Sequence, residues 1–103
     1  MNPFRRPFRD VIERQLVLFE RENADLLEEI AAAERAYDRS ERDDAEERYG
    51  DFLDLVESAG EALAELRDGF ATTLSGEAED AYLDAFNRAA LRRWPRLATG
   101  LDQ

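Results

Sequence analysis

Apolar residues recur at alternating steps of four and three along two stretches of this chain, the spacing of one face of an α-helix. In the first stretch, residues 8–38, this face consists of Ile12, Leu16, Phe19, Asn23, Leu26, Ile30, Ala33 and Tyr37. In the second, residues 44–74, it consists of Ala45, Tyr49, Phe52, Val56, Ala59, Leu63, Leu66 and Phe70. These sets are termed the first and second seams. No stretch alternates apolar and polar residues as a β-strand would, so the sequence predicts an all-α protein.

The periodicity fails between the two stretches, where a continued first seam would need apolar residues. The residues that stand there are Ser40, Asp44 and Glu47. We interpret residues 38–44 as a turn, so that the two helices form a long antiparallel hairpin. A fold about Glu41 places Tyr37 opposite Ala45. Because this stretch contains neither Gly nor Pro, one continuous helix across it is an open alternative.

A shorter third helix is predicted over residues 77–94. Ser75 and Gly76 separate it from the second helix, and Pro95 ends it. Acidic residues in its first turn and arginines near its end complement the helix dipole. Residues 96–103 are expected to form a frayed tail, with docking through Leu97 as the alternative. The prediction is therefore one helical domain over residues 1–103, a hairpin plus a third helix running parallel to the first, completed as a three-helix bundle by self-association.

The charge of the chain narrows the classes of partner. It carries 25 acidic residues against 14 arginines and no lysine, for a net charge of −11. Because the acidic middle of the chain repels phosphate, we expect no binding to nucleic acid. Arg88, Arg92 and Arg93 are expected to lie against Glu22, Asp25 and Glu29 of the first helix.

The sequence argues against an export signal and against a membrane span. Arg5 and Arg6 match the start of a twin-arginine signal, but the charged residues that follow interrupt the apolar stretch such a signal needs. No apolar run approaches the ~20 residues of a membrane span. The expected location is cytoplasmic. Residues 3–9 interleave aromatics with arginines. Contact with an anionic lipid headgroup or an acidic partner surface is one interpretation. The favoured one is that Phe4 and Phe8 extend the first seam while the arginines are solvated.

The chain lacks two residue types that commonly act in catalysis and metal binding. The chain has no Cys and no His, which removes thiolate nucleophiles, the usual general base and the commonest metal ligands. No catalytic, cofactor-binding or metal-ligating residue is assigned. The alternative is a magnesium-dependent hydrolase of a phosphorylated small molecule, suggested by Glu65 with Asp68 and by Glu77 with Asp80. All-helical nucleotide pyrophosphatases use a Glu-Glu-x-x-Glu motif before such pairs, and this chain lacks it.

The sequence therefore favours a non-enzymatic interaction or assembly module that binds itself, as a homodimer or higher oligomer, or a protein partner. Val17 and Leu18 point away from the first seam, and a hairpin alone cannot cover them. The predicted interaction surface consists of Val11, Val17, Leu18, Tyr82 and Phe86. Asn23, the one polar residue of the first seam, is predicted to set the register of helix pairing. An amphipathic coat for a lipid surface or granule is a further alternative.

Overall fold

The computed structural model describes residues 8–102. Within this range the chain forms four α-helices, a terminal 3₁₀ turn and no strand, which confirms the all-α prediction. These elements are α1 (Arg9–Glu22), α2 (Ala24–Asp38), α3 (Arg42–Ala71), α4 (Gly76–Arg93) and the 3₁₀ turn Thr99–Asp102.

The hairpin lies between α2 and α3, as the break in the periodicity predicts. Ser40 Oγ donates a hydrogen bond to the main-chain oxygen of Tyr37 at 2.6 Å, and Glu41 takes an extended conformation before α3 begins. The alternative of one continuous helix is therefore wrong. The Tyr37 ring lies 5.2 Å from the ring of Tyr49 between centroids, one turn beyond the Ala45 that a fold about Glu41 would place opposite it.

The single first helix predicted over residues 8–38 is wrong at one position, because Asn23 separates α1 from α2. Asn23 has φ −116° and ψ 25°. Its main-chain N–H and its Nδ2 both donate to the main-chain oxygen of Phe19, at 2.9 and 3.0 Å. An Asn side chain that bonds its own backbone competes with continued helix, which explains the interruption.

The core lies at the end of the molecule where α1, the second half of α3 and α4 meet. Its largest fully buried side chains are Leu16, Leu63, Tyr82 and Phe86. Tyr82 contacts Phe8 near the start of α1, and Trp94 contacts Phe19 near its end, with centroid distances of 5.5 and 5.2 Å. Helix α4 therefore runs parallel to α1, as predicted.

Phe8 precedes α1 in a left-handed conformation, with φ 60°. Such a conformation costs an L-residue about 1–2 kcal/mol. The Phe8 ring packs edge-on against Phe70 and Tyr82, and this contact compensates for the strain. Phe8 thus packs against the core, although it precedes α1 instead of lying on the seam of that helix. The corresponding prediction for Phe4, like the rest of residues 3–7, lies outside the described residues.

Within the described range the frayed tail predicted over residues 96–103 is wrong and the alternative of docking through Leu97 is confirmed, because Leu97, Ala98 and Leu101 are buried in the core. The segment after α4 folds back along α3, where Gly60 leaves room for it. A Cβ built on Gly60 would lie 3.3 Å from the main-chain oxygen of Leu97.

The molecule is elongated, with principal extents of 57 × 23 × 22 Å. Its Cα radius of gyration is 16.0 Å, whereas a compact chain of 100 residues has about 13 Å. The reason is that the hairpin projects beyond the core. Helix α2 has no fully buried residue, and in α3 the first is Phe52.

Candidate interaction surfaces

Three of the five residues predicted to form the interaction surface lie on α1. The Leu18 side chain is 48% exposed, the largest value for any described large apolar residue. Val11 and Val17 are half-buried beside it. Leu18 and Val17 line a shallow depression of about 420 Å³ with Glu13, Arg14 and Arg21.

The other two predicted surface residues, Tyr82 and Phe86, are fully buried. Within one copy they are therefore covered, and the interaction role predicted for the five residues stays a prediction. They are the bulkiest apolar side chains of α4, and they fill the space between that helix, α1 and α3. The predicted surface residues that are at least partly exposed are therefore Val11, Val17 and Leu18, all on α1.

The strip of α1 that carries Leu18 also carries opposite charges at equal distances from it. Arg14 lies four residues before Leu18, and Glu22 lies four residues after it. Both side chains are exposed. Residues four apart share one side of a helix, so the order along this strip is a cation, an apolar residue and an anion.

The C-terminal segment, residues 94–102, lies between two grooves. One groove, about 570 Å³, separates it from α2 and has an apolar floor. That floor consists of Leu27, Ile30, Phe52, Trp94 and Leu97. The other groove, about 610 Å³, separates it from α3 and extends from Leu53 to Leu101.

Arg96 joins the C-terminal segment to both helices of the hairpin. Its guanidinium forms an ion pair with the Glu34 carboxylate of α2. Its Cζ atom lies 5.8 Å from the centroid of the Phe52 ring of α3, within the range of a cation–π contact. This segment thus binds the hairpin with an arginine that meets an aromatic ring and a carboxylate together.

Of the three arginines expected to face α1, Arg93 reaches it. Its guanidinium contacts Glu13 and Glu20, with N–O distances of 3.4 and 3.5 Å, in place of the predicted Glu22, Asp25 and Glu29. Arg88 instead pairs along its own helix with Asp84 at 2.6 Å.

The hairpin carries a second exposed apolar surface that the sequence did not predict. Tyr37, Tyr49 and Leu53 are between 38% and 45% exposed, and we term them the tip face. The two rings contact one another, and Leu53 lies one helical turn beyond Tyr49, where the groove beside α3 begins. Because Tyr37 and Tyr49 belong to the two seams, the sequence assigned both to the contact between the hairpin helices. Two helices alone cover only part of each ring.

Asn23 is half-buried, and its amide bonds within α1. Its predicted register-setting role stays a prediction.

Among residues 8–102, no group of three or more acidic side chains is arranged to hold a metal ion. In one of the two acidic pairs noted in the sequence, Glu65 with Asp68, the Asp68 carboxylate accepts a hydrogen bond from Arg67 Nε at 2.9 Å.

No helix within the described part of the chain is long and apolar enough to cross a membrane. Compared with known proteins, the chain matches no protein-family model, no curated protein and no solved structure. Functional proposals must therefore come from the geometry of its own surfaces.

Proposed function

We propose that this protein is a non-enzymatic helical assembly module that self-associates through α1. The observation that carries the proposal is the exposure of Leu18 in the middle of a helix whose opposite side is buried in the core. Burying a leucine side chain contributes about 1.5–3 kcal/mol. Leu18 forms a contiguous apolar patch with the half-buried Val11 and Val17, and such a patch left in water is typical of an interface.

The charges beside Leu18 favour a second copy of the chain as the partner. In a two-fold arrangement of antiparallel α1 helices, Leu18 meets Leu18 of the second copy. The same symmetry places Arg14 of each copy opposite Glu22 of the other, because these residues are equally spaced about Leu18. A two-fold interface must be complementary to itself, and the order of charges along this strip meets that condition.

Light scattering of the full chain at tens of micromolar tests the proposal. We expect a dimer, and we expect Leu18→Glu to give a monomer because it places two carboxylates against each other. Leu91→Glu is the matched control, since Leu91 is also exposed but lies on the outer side of α4. This variant should remain a dimer.

Two results would contradict the proposal. One is a wild-type protein that is monomeric at these concentrations. The other is equal dissociation by Leu18→Glu and Leu91→Glu, which would indicate a general effect of added charge. The double charge exchange Arg14→Glu with Glu22→Arg should preserve the dimer, whereas Arg14→Glu alone should weaken it.

A further inference from the structure

The tip face of the hairpin is exposed and distant from Leu18, so the proposed two-fold contact leaves its function unassigned. We infer that it binds residues 3–7 of a second copy of this chain, the segment that contains Phe4, Arg5 and Arg6. This inference rests on the proposed self-association and adds a second, distinct contact to it.

A contact of similar composition, between residues 94–97 and the hairpin, exists within one copy. Closer to the core, the same side of the hairpin is covered by Arg96 and Leu97, with the Arg96 guanidinium near the Phe52 ring and paired with Glu34. Residues 94–97 bring an aromatic ring, a proline, an arginine and a leucine to the hairpin. Residues 3–7 contain an aromatic ring, two prolines and two arginines. The tip face offers them two tyrosine rings and Leu53.

Charge favours the same pairing. Residues 34–57, which form the projecting part of the hairpin, contain ten acidic residues and four arginines. Residues 3–7 contain two arginines and no acidic residue. Glu46 is exposed one turn before Tyr49, beside the tip face. Opposite charge raises the rate of encounter and disfavours the wrong surfaces.

The segment of the same copy cannot reach the tip face. Phe4 precedes Phe8 by four residues, which span at most about 14 Å. The Phe8 ring lies 6.3 Å from the ring of Phe70, near the end of α3. Tyr49 is 21 residues before Phe70 on this unbroken helix, a distance of about 31 Å at 1.5 Å per residue. The occupant must therefore come from another copy.

Because the chain has no cysteine, disulfide trapping between single-cysteine variants tests the contact directly. Pro3→Cys keeps Phe4 and both arginines, and Glu46→Cys places a thiol beside the tip face. Glu47→Cys removes the same charge from the next residue, about 100° further around α3, and serves as the matched control. Equimolar pairs of variants are mixed, oxidised mildly and separated on a non-reducing gel.

We expect the mixture of Pro3→Cys with Glu46→Cys to give about ten-fold more mixed dimer than the mixture with Glu47→Cys, because a disulfide forms only when the Cα atoms come within about 7 Å. Adding Arg5→Glu and Arg6→Glu to the Pro3→Cys chain should remove this preference. Equal trapping by the two glutamate positions overturns the inference. A wild-type dimer in light scattering without trapping at Glu46→Cys overturns the inference alone, whereas a monomeric wild type overturns the proposed self-association as well.

Discussion

Arg67 donates a hydrogen bond from Nη1 to the main-chain oxygen of Leu101 at 3.0 Å, which joins α3 to the C-terminal segment. The same nitrogen donates to Asn87 Oδ1 of α4, also at 3.0 Å. Only 15% of the Arg67 side chain is exposed. One partly buried cation thus joins three elements, and Leu101, whose carbonyl accepts one of its hydrogen bonds, is buried in the core.

Arg67→Met should lower the free energy of unfolding by about 2–3 kcal/mol, because hydrogen bonds from a charged donor contribute about 1.5–3 kcal/mol and the Leu101 oxygen loses its partner. Urea unfolding measures the change. Arg88→Met is the control, since Arg88 pairs with Asp84 on an exposed surface and such pairs contribute about 0–1 kcal/mol. Equal losses in the two variants would show that Arg67 has no anchoring role.

Gly60 tests how closely the C-terminal segment approaches α3. Gly→Ala inside a helix stabilises by about 0.5–1 kcal/mol when the methyl group meets nothing. Gly50 and Gly69 lie in the same helix with open space at their Cβ positions, whereas the Cβ of Gly60 would press on Leu97 O at 3.3 Å. Thermal unfolding should therefore show Gly50→Ala and Gly69→Ala to be more stable than Gly60→Ala. An equal rise in thermal stability for all three variants would mean that the C-terminal segment shifts without cost to make room for the methyl group.

The main helices and their arrangement could be predicted because apolar spacing reports directly which side of a helix is buried. The helices and the turn between the two seams follow from it, and the parallel course of α4 follows from two reversals of chain direction. The break at Asn23 could not be read from spacing, because Leu26 continues the 4-3 pattern on the far side of the break. A local side-chain hydrogen bond decided that feature.

The sequence indicated docking of the C-terminal segment only as an alternative, through Leu97, and the physical reason differs from that at Asn23. The segment packs on a second side of α3, where Gly60 and Ala64 are small and Arg67 is charged, so hydropathy gives no sign of burial. One pattern in the sequence did indicate this contact. Gly60 and Ala64 are small residues four apart on α3, and Leu97 and Leu101 are apolar residues four apart on the segment. For the candidate surfaces, the exposure of Leu18 followed from the sequence.

Asn23→Leu tests the predicted register-setting role. If Asn23 restricts helix pairing at a cost in stability, the leucine variant has a higher melting temperature and a broader distribution of oligomers. Calorimetry and light scattering on one sample measure both quantities. A lower melting temperature with an unchanged oligomer distribution would assign the amide a local role, through its hydrogen bond to the Phe19 oxygen.

Tyr82 links stability to alkaline pH. Its hydroxyl donates to Gln15 Oε1 at 2.9 Å, and burial raises the pKa of the Tyr82 phenol above its ordinary value of 10.0. As pH rises, the unfolded chain therefore loses this proton before the folded chain does. The free energy of unfolding should hold its full value below about pH 10 and fall as pH rises from there through the folded pKa of Tyr82.

Tyr82→Phe isolates this contribution. We expect the variant to lose about 1 kcal/mol at neutral pH, because Gln15 loses its hydrogen-bond donor. The difference between the two proteins should then shrink above about pH 10, at up to 1.4 kcal/mol per pH unit, because only the wild type retains the buried phenol. Urea unfolding at a series of pH values measures it, with little interference because the chain has no Lys or Cys. A constant difference across this range would show that the Tyr82 phenol ionises equally easily in both states.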